Sequence, residues 1–535
     1  MRVCILNNGD QFAKTIYFIR KLKTAIDIVR GSDIMKAPKG RGGIIMSKLL
    51  NDDHGANLPT IRITEITLEN FKSVKYGNIV FNCGRKFIPY GTQADILGLY
   101  GQNGSGKTSL IEALSILKHL MSGVPVPDEY ADCIDVEAEY ASMTFSFEFQ
   151  YPDHGGYPTN NDISKVVYSL KLSKVAKESI ETPHVYVDDE SVDEFVPVSA
   201  FRVKVFDEVL KMSGTVCGQK TQLKPFCDTS KEKSYIEPST KAKMLVGSLD
   251  EKKRVQLGVN KSLAETRSQS FVFMGEMMKL YRENSGYSVY YQTLLELRMW
   301  AKYYLFVVDS KSTGLIRLNF MLPVFVNNQI QVVPVGRRFE CSEETCEDMK
   351  ECFKSLSIVL TQIVPGLTVE IMDHGQTLLK EGEIGRVVEL VAKRGAITIP
   401  LRCESDGVRK LISTLNLLIM VYNRQSTTVA YDEFDAGVFE YLLGEILQVI
   451  QSAGKGQFIF TSHNMRPLEV LNKDYIWFTT TDPNDRYIKL VGLGETNNLR
   501  RVYYREIAMH ENYDNLYNET KRNMIVSAMR KAGGN

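Results

Sequence analysis

The sequence predicts an α/β protein, a mainly parallel sheet with helices on its faces, and three observations lead there. An apolar run, ILGLY at 96–100, meets a glycine-rich loop, GQNGSGKT at 101–108, and then SLIEALSILKHLM, whose apolar residues recur at helical spacing. Downstream, helical patterns at 407–422 and 439–452 alternate with apolar strands at 427–431 and 457–461, the rhythm of a parallel sheet covered on both faces. The chain is also long enough: 535 residues, 44% hydrophobic and 24% charged, fit a globular protein of about two to four domains.

From the start of the chain, KGRGGIIM at 39–46 has the composition that a translated purine-rich ribosome-binding site and spacer would give, so Met46 is expected as the biological start. A short helix over 12–29 is the alternative. From 60 onward IRITEITLENF alternates like a strand, KSVKYGNIVF gives a second, and further strands are expected at 142–150 and 166–172. The polar segment 213–265 suggests exposed helices and loops, and 293–308 an apolar helix or helix-strand boundary. Strand-like VFVNN and IQVVPV follow, then a helix at 343–364 stopped by Pro365 and Gly366, and strands at 367–372 and 387–393.

Charge and cysteine content exclude several classes. Lys plus Arg (65) nearly cancels Asp plus Glu (64), so no global positive field points to nucleic acid, although a local patch stays open. Nine cysteines, an odd number without a CxxC pair, fit reduced thiols rather than a disulfide framework. Cys341, Cys346 and Cys352 match no common zinc spacing. With no run of about 18 apolar residues and no signal peptide, the expected location is the cytoplasm, away from membranes.

The chemistry concentrates in four segments. GQNGSGKT is a full GxxxxGK[ST] between strand and helix, so Gly101, Asn103, Gly104, Ser105, Gly106, Lys107, Thr108 and Ser109 are the candidate nucleotide-binding residues. Glycines let successive N–H groups turn inward around phosphates, the helix N-terminus adds partial positive charge, Lys107 reaches the β/γ oxygens and the Thr108 hydroxyl binds Mg²⁺. TTVAYDEFD ends a strand in Asp432, placed to hold the metal, and Glu433, placed to polarise water, though a plain strand terminus has the same pattern. FIFTSHN ends another strand in a polar tip, where His463 could meet a γ-phosphate at the carboxyl edge of the sheet. ESDGVRKLI puts Ser405, Asp406 and Gly407 at a helix start, open to reading as a phosphate contact or as an N-cap.

In that order, ENFKSVK, GQNGSGKT, ESDGVRKLI, VAYDEFDAG and FTSHN resemble the ATP-binding-cassette ATPases of the RecF, SMC and OLD group. Within it they are most similar to stand-alone bacterial ATP-binding proteins of antiphage defence loci, over roughly 61–118 and 397–486. The resemblance implies an ABC-type P-loop domain: a mixed sheet flanked by helices, an antiparallel β subdomain and a large, mostly helical insertion. It implies ATP and Mg²⁺ as cofactors, Lys107, Glu433 (the base) and His463 (the switch histidine) as catalytic residues, and Thr108 and Asp432 as metal ligands. The segment Ser405 to Lys410 becomes the signature, and its Ser405, Asp406 and Gly407, together with Asp435 as a D-loop residue, serve the pocket of a second copy. The expected partners are therefore a homodimer through head-to-tail ATP sites, open to higher assembly, and a separate effector such as a nuclease or toxin.

Two departures accompany it: the signature reads SDGVRK rather than LSGGQ, and Gln150, at a strand end, is the candidate for the Q-loop glutamine. Lys107 and Asp432 stand 325 positions apart, so an insertion must leave and re-enter the domain. The division expected is an extension at 1–57, an N-terminal lobe at 58–175, an inserted α+β domain at 176–395, a C-terminal lobe at 396–500 and a tail at 501–535. The functional expectation is a Mg²⁺-dependent ATPase acting as a sensor or regulator in defence. Its alternatives are a DNA-repair or DNA-clamping ATPase and a non-hydrolysing scaffold.

Overall fold

A computed structural model describes residues 59–81, 94–151, 161–177, 199–216, 219–228, 251–283, 288–309, 321–326, 329–379, 382–490, 498–509, 516–517 and 522–533. Met46 and the helix expected over 12–29 lie outside the described residues.

The N-terminal half supplies β1 (Thr60–Phe71), β2 (Val74–Val80), β3 (Asp95–Tyr100), helix α1 (Lys107–Ser122), β4 (Ala141–Gln150), β5 (Asn161–Ala176), β6 (Phe201–Val216) and β7 (Gln219–Asp228). Helices α2 (Glu251–Thr266), α3 (Gly275–Glu283) and α4 (Ser288–Tyr303) lead to β8 (Leu305–Val308). A hairpin, β9 (Met321–Val326) and β10 (Gln329–Pro334), precedes β11 (Phe339–Ser342), α5 (Glu343–Ile363), β12 (Leu367–Leu378), β13 (Ile384–Arg394) and β14 (Ile397–Pro400). The last part holds α6 (Asp406–Asn423), β15 (Thr428–Tyr431), α7 (Glu440–Ala453), β16 (Gln457–Thr461), β17 (Ile476–Thr479), β18 (Tyr487–Ile488), α8 (Leu499–Met509) and α9 (Arg522–Ala532).

Two six-stranded sheets organise these elements. The central sheet runs β18-β17-β3-β16-β15-β8, parallel from β17 to β8, with β18 antiparallel at its edge. The second, β2-β1-β4-β5-β6-β7, is antiparallel throughout. The central strands are nearly unbroken apolar runs because both of their faces are covered. Their pleat sorts side chains between two cores: Leu97, Leu99, Val307, Ala430 and Ile459 face one, whereas Ile96, Tyr100, Phe306, Val308, Val429 and Phe460 face the other. The first core is shared with α1 and the inner face of the antiparallel sheet, and the second with α5, α6 and α7.

Helix α1 is consequently buried almost all round. At the far edge Gln457 joins the sheets: its amide donates to the carbonyl of Ile63 (2.8 Å) and to Asp95 (2.7 Å), and its oxygen accepts from the Ile63 N–H (3.2 Å).

The segment expected as an insertion at 176–395 contributes to both sheets. Strand β6 continues the antiparallel sheet beside β5, burying Val203, Val205, Leu210 and Met212, and β8 pairs in parallel with β15. The chain thus returns to the central sheet at Leu305, well before 396. The described residues between β8 and α6 form the β11-β13-β12 sheet with β14, α5 packed on it, and the β9-β10 hairpin. In the tail, Leu499 and Tyr503 of α8 enter the second core, whereas α9 has no buried residue.

Candidate functional site

The 101–108 loop crosses the carboxyl end of β3 with Gly101, Gly104 and Gly106 all at positive φ. Two positions need glycine for separate reasons. A Cβ on Gly101 would lie 1.8 Å from the Thr479 hydroxyl, and Gly106 sits at φ 91° as the residue preceding α1. The loop is held from behind by the β17-β18 edge. Tyr487 donates to the Gly106 carbonyl (2.9 Å), and the Thr479 hydroxyl has two acceptors within reach, the Tyr100 carbonyl (3.2 Å) and the Ser105 hydroxyl. Buried Arg486 donates to the carbonyls of Thr480 (2.6 Å) and Ser73.

No side chain caps α1, so the amides of its first turn stay open to a ligand. Lys107 folds back onto the loop and donates to the carbonyls of Gly101 (2.8 Å) and Gln102 (2.9 Å). Burial lowers its pKa to about 8, against the pull of Asp432, Glu433 and Asp435.

Across the pocket, β15 ends in a turn that sends one side chain inward and three to the rim. Phe434 is the anchor, edge-on to Tyr431 (5.3 Å between centroids) and Phe458 (5.1 Å). Glu433 makes this possible by adopting left-handed backbone, φ 49°, which is uncommon for a residue with a side chain. Thr461, the last residue of β16, joins the two carboxylate positions: its hydroxyl donates to Asp432 Oδ1 (2.6 Å) and accepts from the Glu433 N–H (2.8 Å). Asp432 also accepts from the Thr108 hydroxyl at 3.1 Å. Asp435 accepts from the N–H groups of His463 (3.2 Å) and Asn464 (3.0 Å), fixing the strand tip against the loop. Partial burial, then the Lys107 charge, lowers the His463 pKa and favours neutral imidazole.

These groups enclose one pocket of about 670 Å³, within the roughly 300–1,000 Å³ range of small-ligand sites. Asn103, Gly104, Gly106, Lys107, Thr108 and Ser109 form one wall, and Asp432, Glu433, Asp435 and His463 the other. Gly101 and Ser105 lie behind, Ser105 donating to the Gln102 carbonyl (2.5 Å).

Ser405, Asp406 and Gly407 do not line this pocket. Ser405 caps α6 by accepting from the Val408 N–H (3.3 Å), Asp406 pairs with Arg409, and a Cβ on Gly407 would stand 2.7 Å from the Gly437 carbonyl. Gln150 is not at the pocket either: it ends β4, exposed and paired with Thr60, because its strand belongs to the antiparallel sheet. Sequence reasoning gave no role to Lys72 and Ser73 of the β1-β2 turn, which complete the rim, or to Thr461. A lone polar residue closing the apolar run FIFT was the signal for Thr461.

Phosphate loop, uncapped helix and acidic strand tip converge on the carboxyl edge of one parallel sheet. The fold is that of a P-loop nucleotide-binding domain. Residues 65–256, a little over a third of the chain, match the family model described as an AAA domain. No curated protein sequence matches the chain.

Among solved structures, it is similar to an SMC head bound to the C-terminal winged-helix domain of ScpA, at 14% identity over 80% of this chain and 97% of that one, with a TM-score of 0.35. It is similar as well to the SMC head domain from Thermotoga maritima (12% identity, 80% and 99% covered, TM-score 0.31). A third is the Smc head domain with a coiled coil and joint from Pyrococcus yayanosii (10%, 80% and 97%, 0.36). These likenesses are distant, and the architecture rests on the strand order itself.

Proposed function

We propose that the protein binds ATP with Mg²⁺ and hydrolyses it, and that two copies closing head to tail around nucleotide act as the sensor or regulator of a separate effector in bacterial antiphage defence. One observation carries the chemical part: Lys107, Thr108, Asp432, Glu433 and His463, drawn from three strand ends, face one another across a single pocket. The defence role rests on the resemblance of the motif set.

The oxygen donors Thr108 Oγ1 and Asp432 suit a hard cation, and Mg²⁺ held by them would neutralise charge between the terminal phosphates. Lys107, freed from the loop carbonyls, binds the β/γ oxygens. Glu433 accepts the proton of the attacking water, its backbone fixed by Thr461. Neutral His463 presents a ring N–H toward the γ-phosphate. Ser405 and Gly407, off the pocket of their own chain, are assigned to the pocket of the second copy.

A mixing experiment tests both halves of the proposal. Lys107→Ala spoils the loop of one copy and Ser405→Arg the α6 N-terminus of another, so each alone should be inactive as a homodimer. In a random mixture about half the dimers are mixed and each keeps one intact site, so about a quarter of the wild-type rate should return. No recovery from two variants that both stay folded and dimeric at the assay temperature would sink the head-to-tail arrangement. A wild-type protein without Mg²⁺-dependent phosphate release would sink the ATPase.

A further inference from the structure

Lys410 lies one turn into α6, outside the pocket lining, yet it contacts the acidic loop of its own chain. Its ammonium donates to the Glu433 carbonyl at 3.0 Å, is attracted by Asp435, Glu433 and Asp432, and stands 5.5 Å from the centre of the Tyr431 ring. The Glu433 peptide is the one that most needs such support. It is left-handed at φ 49°, a conformation that costs a side-chain-bearing residue free energy and persists only where neighbours enforce it. Thr461 holds its N–H, and its carbonyl is shared between the Ala436 N–H (3.0 Å) and Lys410.

The second junction is steric: Gly407 and Gly437 pack backbone against backbone, with no room for a Cβ on Gly407. The first turn of α6 is therefore tied to the 432–438 loop at two points, one of them on the peptide that aims Glu433.

We infer that Lys410 is a positioning residue for Glu433, through which displacement of the α6 N-terminus re-aims the Glu433 carboxylate in the same copy. This rests on the reading of Glu433 as the residue that activates water. A contact made by a second copy on Ser405 or Gly407 would then be felt in the pocket of the first, coupling two sites that share no ligand.

Lys410→Met keeps the stem over Tyr431 and removes the donor, whereas Lys410→Arg keeps a donor. In K410M, kcat for ATP should fall about tenfold while KM and the affinity for a fluorescent ATP analogue stay within about twofold, the pattern of a lost transition-state interaction. K410R should recover most of the rate. In nucleotide-free full-length protein, hydrogen exchange at the amides of Phe434, Ala436 and Val438 should rise about tenfold in K410M and stay near wild type in K410R. Unchanged exchange and unchanged kcat in K410M would overturn the inference, as would loss of affinity in step with rate. Wild-type protein that hydrolyses nothing, with the loop still loosened in K410M, overturns the ATPase reading and leaves the contact standing.

Discussion

Two helix N-termini in this molecule look alike in sequence and differ in state. Helix α1 begins after a left-handed glycine with no side-chain cap, opens into the pocket and carries Lys107 in its first turn. Helix α6 begins after Ser405, which caps it, and carries Asp406 paired with Arg409, so within one chain its dipole is already answered by a hydroxyl and a carboxylate. An uncapped end beside a cation is ready for phosphate. A capped end must exchange its cap for a ligand brought by something else. Glycine and serine content does not tell the two apart; the neighbours of each first turn do.

The comparison can be sharpened or broken by substitution, the largest effect coming from the residue that should separate binding from chemistry. Glu433→Gln should lower hydrolysis by about 10²–10⁴-fold while ATP binding persists. An unchanged rate by phosphate release would remove Glu433 from the chemistry. Lys107→Ala should cost about 10²–10³-fold in kcat/KM and weaken nucleotide binding as well. If ATP affinity survives it, α1 is not the open end described.

Protonation gives a third handle. Burial depresses the Lys107 pKa to about 8, so the cation that phosphate needs dominates below that pH and is lost as pH rises through it. ATP affinity should therefore fall roughly tenfold from pH 7 to pH 9, with proton uptake on binding near pH 8, and Lys107→Met should flatten the slope. Calorimetry in two buffers of different ionisation heat would measure the uptake.

The smallest effect concerns the capped end. Ser405→Ala should lower stability by about 1 kcal/mol, and Ser405→Asn, which keeps a capping oxygen, by far less. Denaturant unfolding measures both. If Ser405→Asn is as destabilised as Ser405→Ala, capping is not what the hydroxyl does.

Much of this was legible from pattern. The strands β3, β15 and β16 announce themselves as apolar runs bounded by turn signals, and the loop, Asp432, Glu433 and His463 all stand at strand ends, where parallel sheets place ligands. Strand β8 was harder: its four residues follow helix α4 after a single Tyr304, so the segment reads as one apolar stretch with no punctuation. Its partner in the sheet lies more than a hundred residues away, and no local signal names it. The polar stretch after 213 suggested helices and loops; helix α2 does lie in it, but its first part pairs as β6 and β7 at the outer edge of the antiparallel sheet, where polar residues are the rule. Thr461 escaped notice, and Lys410 was read only as part of the signature segment, because their value lies in a left-handed turn at Glu433, and φ at a non-glycine position leaves no trace in composition.

The burial of α1 has a mechanical consequence. A helix buried almost all round and packed on α4, β8 and β15 cannot slide without opening voids, and each buried side chain left short of its neighbours would cost on the order of a kcal/mol. The phosphate loop is thus mounted on an anvil. Any stroke that nucleotide drives must be delivered by the opposite wall, where the α6 turn and the 432–438 loop meet through two glycines and one ammonium.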